Sequence, residues 1–374
     1  MKTLSLTFSL WILILSSCQK PAIEGTFDNY YSDSSADEIP CDILVNEDGS
    51  YAICGYSTPI PTTEKTTAFL YHIDTRGELI GKAFYHFEEN NYARAIVSTS
   101  DGGYLIAGES SGKLLIMKSS PNLVEEWKII KAGIDSTCSA IAIIPMNEHE
   151  YVVGYSSGNQ VIMLRIDDVG NQISDRKIFI SPGEIVSKMI KTMDNEIVIV
   201  GSSIEKGFIA KYTEQNVLAW QDYYVNPLIV FPLFKFNDVI ETNEKNLIVV
   251  GEDTKISFIP YEVNSCYLMV EYTSQGAIVS DSLWGTGNCE WTGLTFSQDG
   301  DITLIGRSKD GNNPLAISKR KLSDKTEIWS RNFAPATEGV LALCPDGGYV
   351  IATNSSNPNN QDLRVIKTDL AGRN

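Results

Sequence analysis

The chain has 374 residues, 43% of them hydrophobic and 21% charged, which is the composition of a folded globular protein and excludes disorder as its general state. The formal net charge of -17 is spread without long like-charge runs, so repulsion from a phosphate backbone argues against nucleic acid as a partner.

In chain order, the first element lies outside the fold. Lys2 is followed by an apolar stretch, Leu4 to Leu15, of about a dozen residues; that is short for a bilayer span and right for the core of an export signal. Leu15-Ser16-Ser17-Cys18 then resembles the bacterial lipobox. The resemblance implies cleavage before Cys18 and its acylation with palmitate-type chains, and hence a lipoprotein of the cell envelope held to a membrane, the outer membrane being expected. The chain divides into a signal peptide (1–17), a lipid-anchored tether (18–24) and one domain (25–374). Gln19-Lys20 resembles the start of a surface-export signal, but Pro21-Ala22-Ile23 replaces its acids, so the periplasmic and surface sides stay open.

The domain is a repeat. A short apolar strand, a polar turn, a second apolar strand and a closing Gly recur about every 50 residues, a spacing that fits four-stranded propeller blades. The clearest copy runs from Ala95 through Asp101-Gly102-Gly103-Tyr104 to Gly108. The closing position falls at Gly55, Gly108, Gly154, Gly201, Gly251, Gly306 and Thr353. The turns read Asp48-Gly49, Asp101-Gly102, Asn147-Glu148, Asp194-Asn195, Glu244-Lys245, Asp299-Gly300 and Asp346-Gly347, where Gly accepts positive φ and Asp tolerates it. A third strand, a second turn and a fourth strand follow; the fourth often carries Trp, at 127, 220, 284 and 329. No segment has room for a crossover helix, and close backbone approach near a crowded axis accounts for the closing Gly.

The seventh unit ends at Asn374 without its fourth strand, while Gly25-Thr26-Phe27-Asp28-Asn29-Tyr30-Tyr31 precedes the first unit and has the length of one. The pattern therefore predicts an all-β, seven-bladed β-propeller with four antiparallel strands (A to D) per blade, the last blade closed by the N-terminal strand. The copies resemble the Asp-Gly-Gly-Tyr repeats of Bacteroidetes lipoproteins and secreted propellers over about residues 25–374, which implies an architecture rather than an activity.

In a propeller the B-to-C loops and D-to-A connections share one face, and these are the segments of variable length here. Three clusters on that face are candidates for binding: Asn91, Tyr92 and Arg94; Phe231 and Phe234 in the apolar connection 226–236; and Glu290 with Trp291. Packing within or between blades is the competing explanation for each. Besides Cys18 there are six cysteines, as suits an oxidising compartment, and topology suggests that Cys266 could pair with Cys289. His72, His86 and His149 are scattered, no CxxC or nucleophile motif occurs, and no metal or cofactor is expected. The reading is a binding or scaffold protein for a glycan, peptide or protein partner of the envelope, more readily than an enzyme. The alternative is a polysaccharide-directed hydrolase or lyase with carboxylates at the channel mouth.

Overall fold

The computed structural model describes residues 25–31, 36–60, 64–87, 89–133, 138–158, 160–179, 184–203, 206–225, 232–258, 261–284, 289–308, 314–356 and 361–374. Residues 1–24, with the expected export signal and Cys18, lie outside the described residues, as do Phe231 and the side chains of Cys266 and Cys289. The described residues form seven four-stranded antiparallel sheets in a ring, a seven-bladed β-propeller, with no helix among them. Blade 2 shows the pattern: strand A is Asn91–Ser98, B is Tyr104–Ser110, C is Lys113–Ser119 and D is Glu125–Lys131. Blade 7 takes its A, B and C strands from Ala336–Leu343, Tyr349–Ser356 and Gln361–Lys367, and its D strand from Phe27–Tyr31, which runs antiparallel to C from Phe27↔Lys367 to Tyr31↔Leu363.

The A–B hairpins form as their turn residues dictate. In blade 2 the Asp101 carboxylate accepts the Thr99 hydroxyl (2.6 Å) and the Gly103 amide (3.0 Å), while Gly102 takes φ 80°. Asn195 and Lys245 hold the same left-handed position in blades 4 and 5, with φ 60° and 65°.

The hydrophobic core is a ring of seven layers, one at each junction between neighbouring blades. This explains why the B and C strands read as unbroken apolar runs: their two faces look into two different layers. Trp residues of the D strands cover the C–D turn of the next blade. Trp127 lies over Gly170, where an added Cβ would crowd the indole at 3.1 Å, and Trp220 lies over Gly276, where it would strike the indole at 2.6 Å. Phe27 lies over Gly77 in the same way, so the N-terminal strand repeats the D-strand pattern. Trp284 belongs to a different position, because it pairs with Tyr267 at the opposite end of its strand.

Each of four blades also buries a lysine from strand C. Lys118, Lys211, Lys319 and Lys367 are 6% exposed or less, and their ammonium groups reach a carboxylate at the A–B hairpin: Asp101 (2.8 Å), Glu196 (2.5 Å), Asp299 (2.5 Å) and Asp346 (2.7 Å). Partial desolvation would raise the Asp101 and Asp299 carboxyls, but the lysine, a neighbouring hydroxyl and a backbone amide hold each down at about 2. These groups ordinarily titrate near 3.8, so their contribution to stability is complete above that pH and is lost as pH falls towards 2. We expect a Lys118→Met, Lys319→Met double variant to show a shallower loss of stability between pH 4 and pH 2 than the native chain, measured by urea unfolding across that range.

Candidate functional site

Every A strand carries a β-bulge at about the same height. The extra residue is Cys41, Arg94, Ile141, Ser187, Asn237 and Thr292 in blades 1 to 6, and the register skips Thr337 and Glu338 in blade 7. The bulge drives a carbonyl of strand A towards strand B. A Cβ on Gly108 would sit 1.7 Å from the Tyr92 carbonyl oxygen, and one on Gly251 1.8 Å from that of Lys235. Blade 7 has Thr353 at this point, and its hydroxyl donates to the Glu338 carbonyl. Blade 3 departs from the sequence alignment: Tyr151 to Gly154 is one residue shorter than Tyr104 to Gly108, so Gly154 pairs as Ala107 does and makes room for Met189 of blade 4 instead.

The bulges line a central cavity of about 640 Å³ whose wall comes from all seven blades. The residues just after the bulge form its ring: Asp42, Ala95, Ala142, Lys188, Asp238, Gly293 and Gly339. Two of them tie blades together. Asp42 accepts the amides of Ile43 (3.0 Å) and, in the next blade, Ile96 (3.0 Å); Asp238 accepts those of Val239 (2.8 Å) and, in the next blade, Leu294 (3.0 Å). Desolvation pushes both carboxyls up, opposed by Lys188 and by these amides. Lys188 is raised in turn, most by the charge of Asp238 and further by Asp42, against the cost of leaving bulk water. Lys188 and Asp42 are partly exposed, and both line the cavity wall.

At the loop-face mouth two charged clusters stand on different sides. Arg94, one-third exposed, has its guanidinium 5.3 Å from the centre of the Tyr56 ring and 5.2 Å from that of Tyr92; the two rings meet edge to face at 4.9 Å. Its Nη2 donates to Glu109 (3.1 Å), its Nη1 lies 3.8 Å from the Cys41 sulfur, and its Nε has no hydrogen-bond partner among the described residues. Across the mouth, Glu290 pairs with Lys235 (3.4 Å) and Arg307 (3.6 Å), and Arg307 with Glu338 (3.5 Å). Burial pushes the Cys41 thiol up to about 11, against the influence of Arg94, so it is not a reactive thiolate at neutral pH.

The structure sorts the residues singled out in the sequence. Tyr92 and Arg94 come together at the mouth, joined by Tyr56 and Glu109, which no sequence motif singles out. Asn91 is buried, and its backbone N–H donates to the Thr66 carbonyl (2.9 Å) to anchor the D-to-A connection, so its side chain is not exposed to a ligand. Phe234 and Trp291 are corrections: Phe234 packs in the layer between blades 4 and 5 against Tyr224, and Trp291 between blades 5 and 6, stacked on Tyr267 at 4.8 Å. Neither presents a ring face to solvent. Glu290 lies at the mouth, but its carboxylate is engaged by two cations. Cys41, Cys54, Cys138 and Cys344 are free thiols. Asp42 and Asp238 had a signal in the sequence: each stands directly before the apolar run of its A strand, in Cys41-Asp42-Ile43 and Asn237-Asp238-Val239.

No family model and no curated protein sequence matches the chain. Solved structures share the fold. The polysaccharide lyase Uly1 superposes with a TM-score of 0.62 at 8% identity, covering 92% of this chain and 99% of its own. Hydrazine synthase of Kuenenia stuttgartiensis gives 0.59 at 13%, covering 88% and 96%, and a protein of unknown function from Dyadobacter fermentans gives 0.52 at 8%, covering 91% and 97%. At these identities the likeness is one of fold alone, and it agrees with the seven blades found here.

Proposed function

We propose that this protein is a lipid-anchored β-propeller of the bacterial cell envelope that binds a glycan, peptide or protein partner through its loop face. The observation that carries the reading is Arg94, one-third exposed at the rim of the central cavity and held beside the Tyr56 and Tyr92 rings. A pre-positioned guanidinium beside aromatic rings suits a carboxylate or a hydroxyl-rich sugar, because little side-chain freedom is lost on binding. Polysaccharides are the first class to screen, since one protein of the same fold is a polysaccharide lyase.

The test is a thermal-shift screen of the chain starting after Cys18 against polysaccharides and peptides. A ligand present at 100 times its Kd stabilises the folded state by about 2.7 kcal/mol. We expect a saturable shift with one ligand class that disappears in Arg94→Ala and Tyr56→Ala variants of unchanged circular dichroism. A shift that survives both substitutions removes the mouth as the site.

One observation favours the enzymatic alternative: Asp42 and Asp238 are cavity carboxyls with raised pKa, the condition for a general acid. Both already accept two backbone amides, which commits them to the scaffold. Product formation from a polysaccharide, abolished in Asp42→Asn, would establish that reading over binding alone.

A further inference from the structure

We propose that one sector of the turn face, formed by blades 1 and 7, rests on the phospholipid surface beside the tether, so that the channel mouth points away from the membrane. The inference rests on the lipid anchor at Cys18 put forward above. Its geometry begins with the closing strand. Phe27 pairs with Lys367, and Lys367 reaches Asp346 in an A–B hairpin. The chain therefore enters the propeller at the edge of the face that carries the A–B and C–D turns, opposite the loop face.

From Cys18 to Phe27 a chain of this length reaches at most about 30 Å. A seven-residue strand such as Thr67–Ile73 makes the wall about 24 Å high. Bringing the loop face to the bilayer would use nearly all of that reach in running straight up the wall. The turn face needs none of it.

The surface around the entry point has the chemistry for this. Leu79 (43% exposed) and Ile80 (57%) open the D strand of blade 1, and Leu370 (62%) sits in the C–D turn of blade 7. Beside them project Arg76 (67%) and Arg373 (71%), which pair with Asp74 and Asp369 of their own turns. The C–D turns of blades 2 to 5 (Ser120–Val124, Asp167–Asn171, Thr213–Val217 and Thr273–Ala277) contain no cation. The turns that flank the tether thus combine exposed aliphatic side chains with arginine in a chain of net charge -17, a combination suited to acyl chains and headgroup phosphates.

The experiment places a photo-crosslinking residue at Ile80 or Leu370, or at Ile60, an equally apolar residue exposed on the loop face. The acylated protein is reconstituted into vesicles of phosphatidylethanolamine and phosphatidylglycerol, and phospholipid adducts are quantified by mass spectrometry. We expect adducts from positions 80 and 370 at least fivefold above those from 60, and a severalfold loss in an Arg76→Glu, Arg373→Glu background. Equal yields at positions 60 and 80, or a larger yield at 60, overturn the proposal. A second sample, with a dipalmitoyl chain ligated selectively to an N-terminal Cys18, keeps the two readings apart. If the exported protein carries no acyl group the anchor is refuted, and adducts from the ligated sample still decide whether the patch meets lipid.

Discussion

Deletion of Phe27–Tyr31 is expected to abolish the cooperative unfolding transition and leave most of the chain aggregated. These five residues are the whole D strand of blade 7, and they join the two ends of the domain. Without them strand C of blade 7 becomes an open edge and the layer between blades 7 and 1 loses its outer wall. Arg364 is only 8% exposed and makes two bonds of 2.7 Å to the Asp28 carboxylate, so it would remain in the wall with its counter-charge removed. Stranding a partly buried ion costs about 3–5 kcal/mol. Phe27 and the buried Tyr31, whose hydroxyl donates to the Gly77 carbonyl (2.6 Å), add roughly 2 kcal/mol each in lost burial. The total approaches the whole stability of an ordinary domain, about 5–15 kcal/mol. Asp28→Ala alone is expected to cost about 3 kcal/mol and to lower Tm by roughly 6 °C, read from a circular dichroism melt. The decisive control is a circular permutant that joins residue 374 to residue 25. Asn374 already donates to Asp28 (2.8 Å), so the termini are neighbours and this chain should melt close to the native one. If the deletion variant melts cooperatively near the native Tm, the closing strand is dispensable and the argument fails.

The parts of this molecule that were legible in the sequence are those where a local backbone requirement selects a residue type. Positive φ at Gly102 and the crowding of Gly108 by the Tyr92 carbonyl both favour glycine, so hairpins and blade count could be read directly. The missing fourth strand after Lys367 and the spare segment at Phe27–Tyr31 gave the ring closure by the same logic. The buried lysines were within reach too, since Lys118, Lys211, Lys319 and Lys367 recur at one position of the repeat, but a lysine in a strand reads as solvent-facing unless its hairpin carboxylate is considered. The bulges were out of reach, because Cys41, Arg94, Ile141, Ser187, Asn237 and Thr292 share no chemistry. Without the bulges the ring they build is invisible, and so is the meeting of Arg94 with Tyr56. The aromatic residues on connections misled for a related reason. Phe234 and Trp291 belong to strands that begin earlier than their polar or proline-rich surroundings suggest, and they fill the first inter-blade layer they reach.

Asp238→Ala is expected to destabilise the protein by about 3 kcal/mol, more than most single substitutions in its core. The carboxylate does three things at once. It accepts the Val239 amide, it accepts the Leu294 amide of the neighbouring blade, and its charge is the main reason the Lys188 amine has a raised pKa. Truncation leaves two buried donors without an acceptor, at about 1 kcal/mol or more each, and leaves Lys188 facing the cavity with only Asp42 to balance it. Asp238→Asn keeps one acceptor and the shape, so it should cost less than half as much. The charge component can be isolated in a double-mutant cycle with Lys188→Met, measured by urea unfolding. Because each single change strands the other's charge, the double variant should be more stable than the sum of the singles predicts, by about 1–2 kcal/mol. The coupling has a signature in pH as well. A lysine whose pKa is raised on folding contributes stability that is complete below its ordinary value of 10.5 and fades as pH climbs through the folded value. The native chain should therefore lose stability on that alkaline limb more steeply than Asp238→Ala does. Additive single substitutions together with superimposable alkaline limbs would mean that Asp238 acts as a hydrogen-bond clasp alone, and that the channel charges are independent of one another.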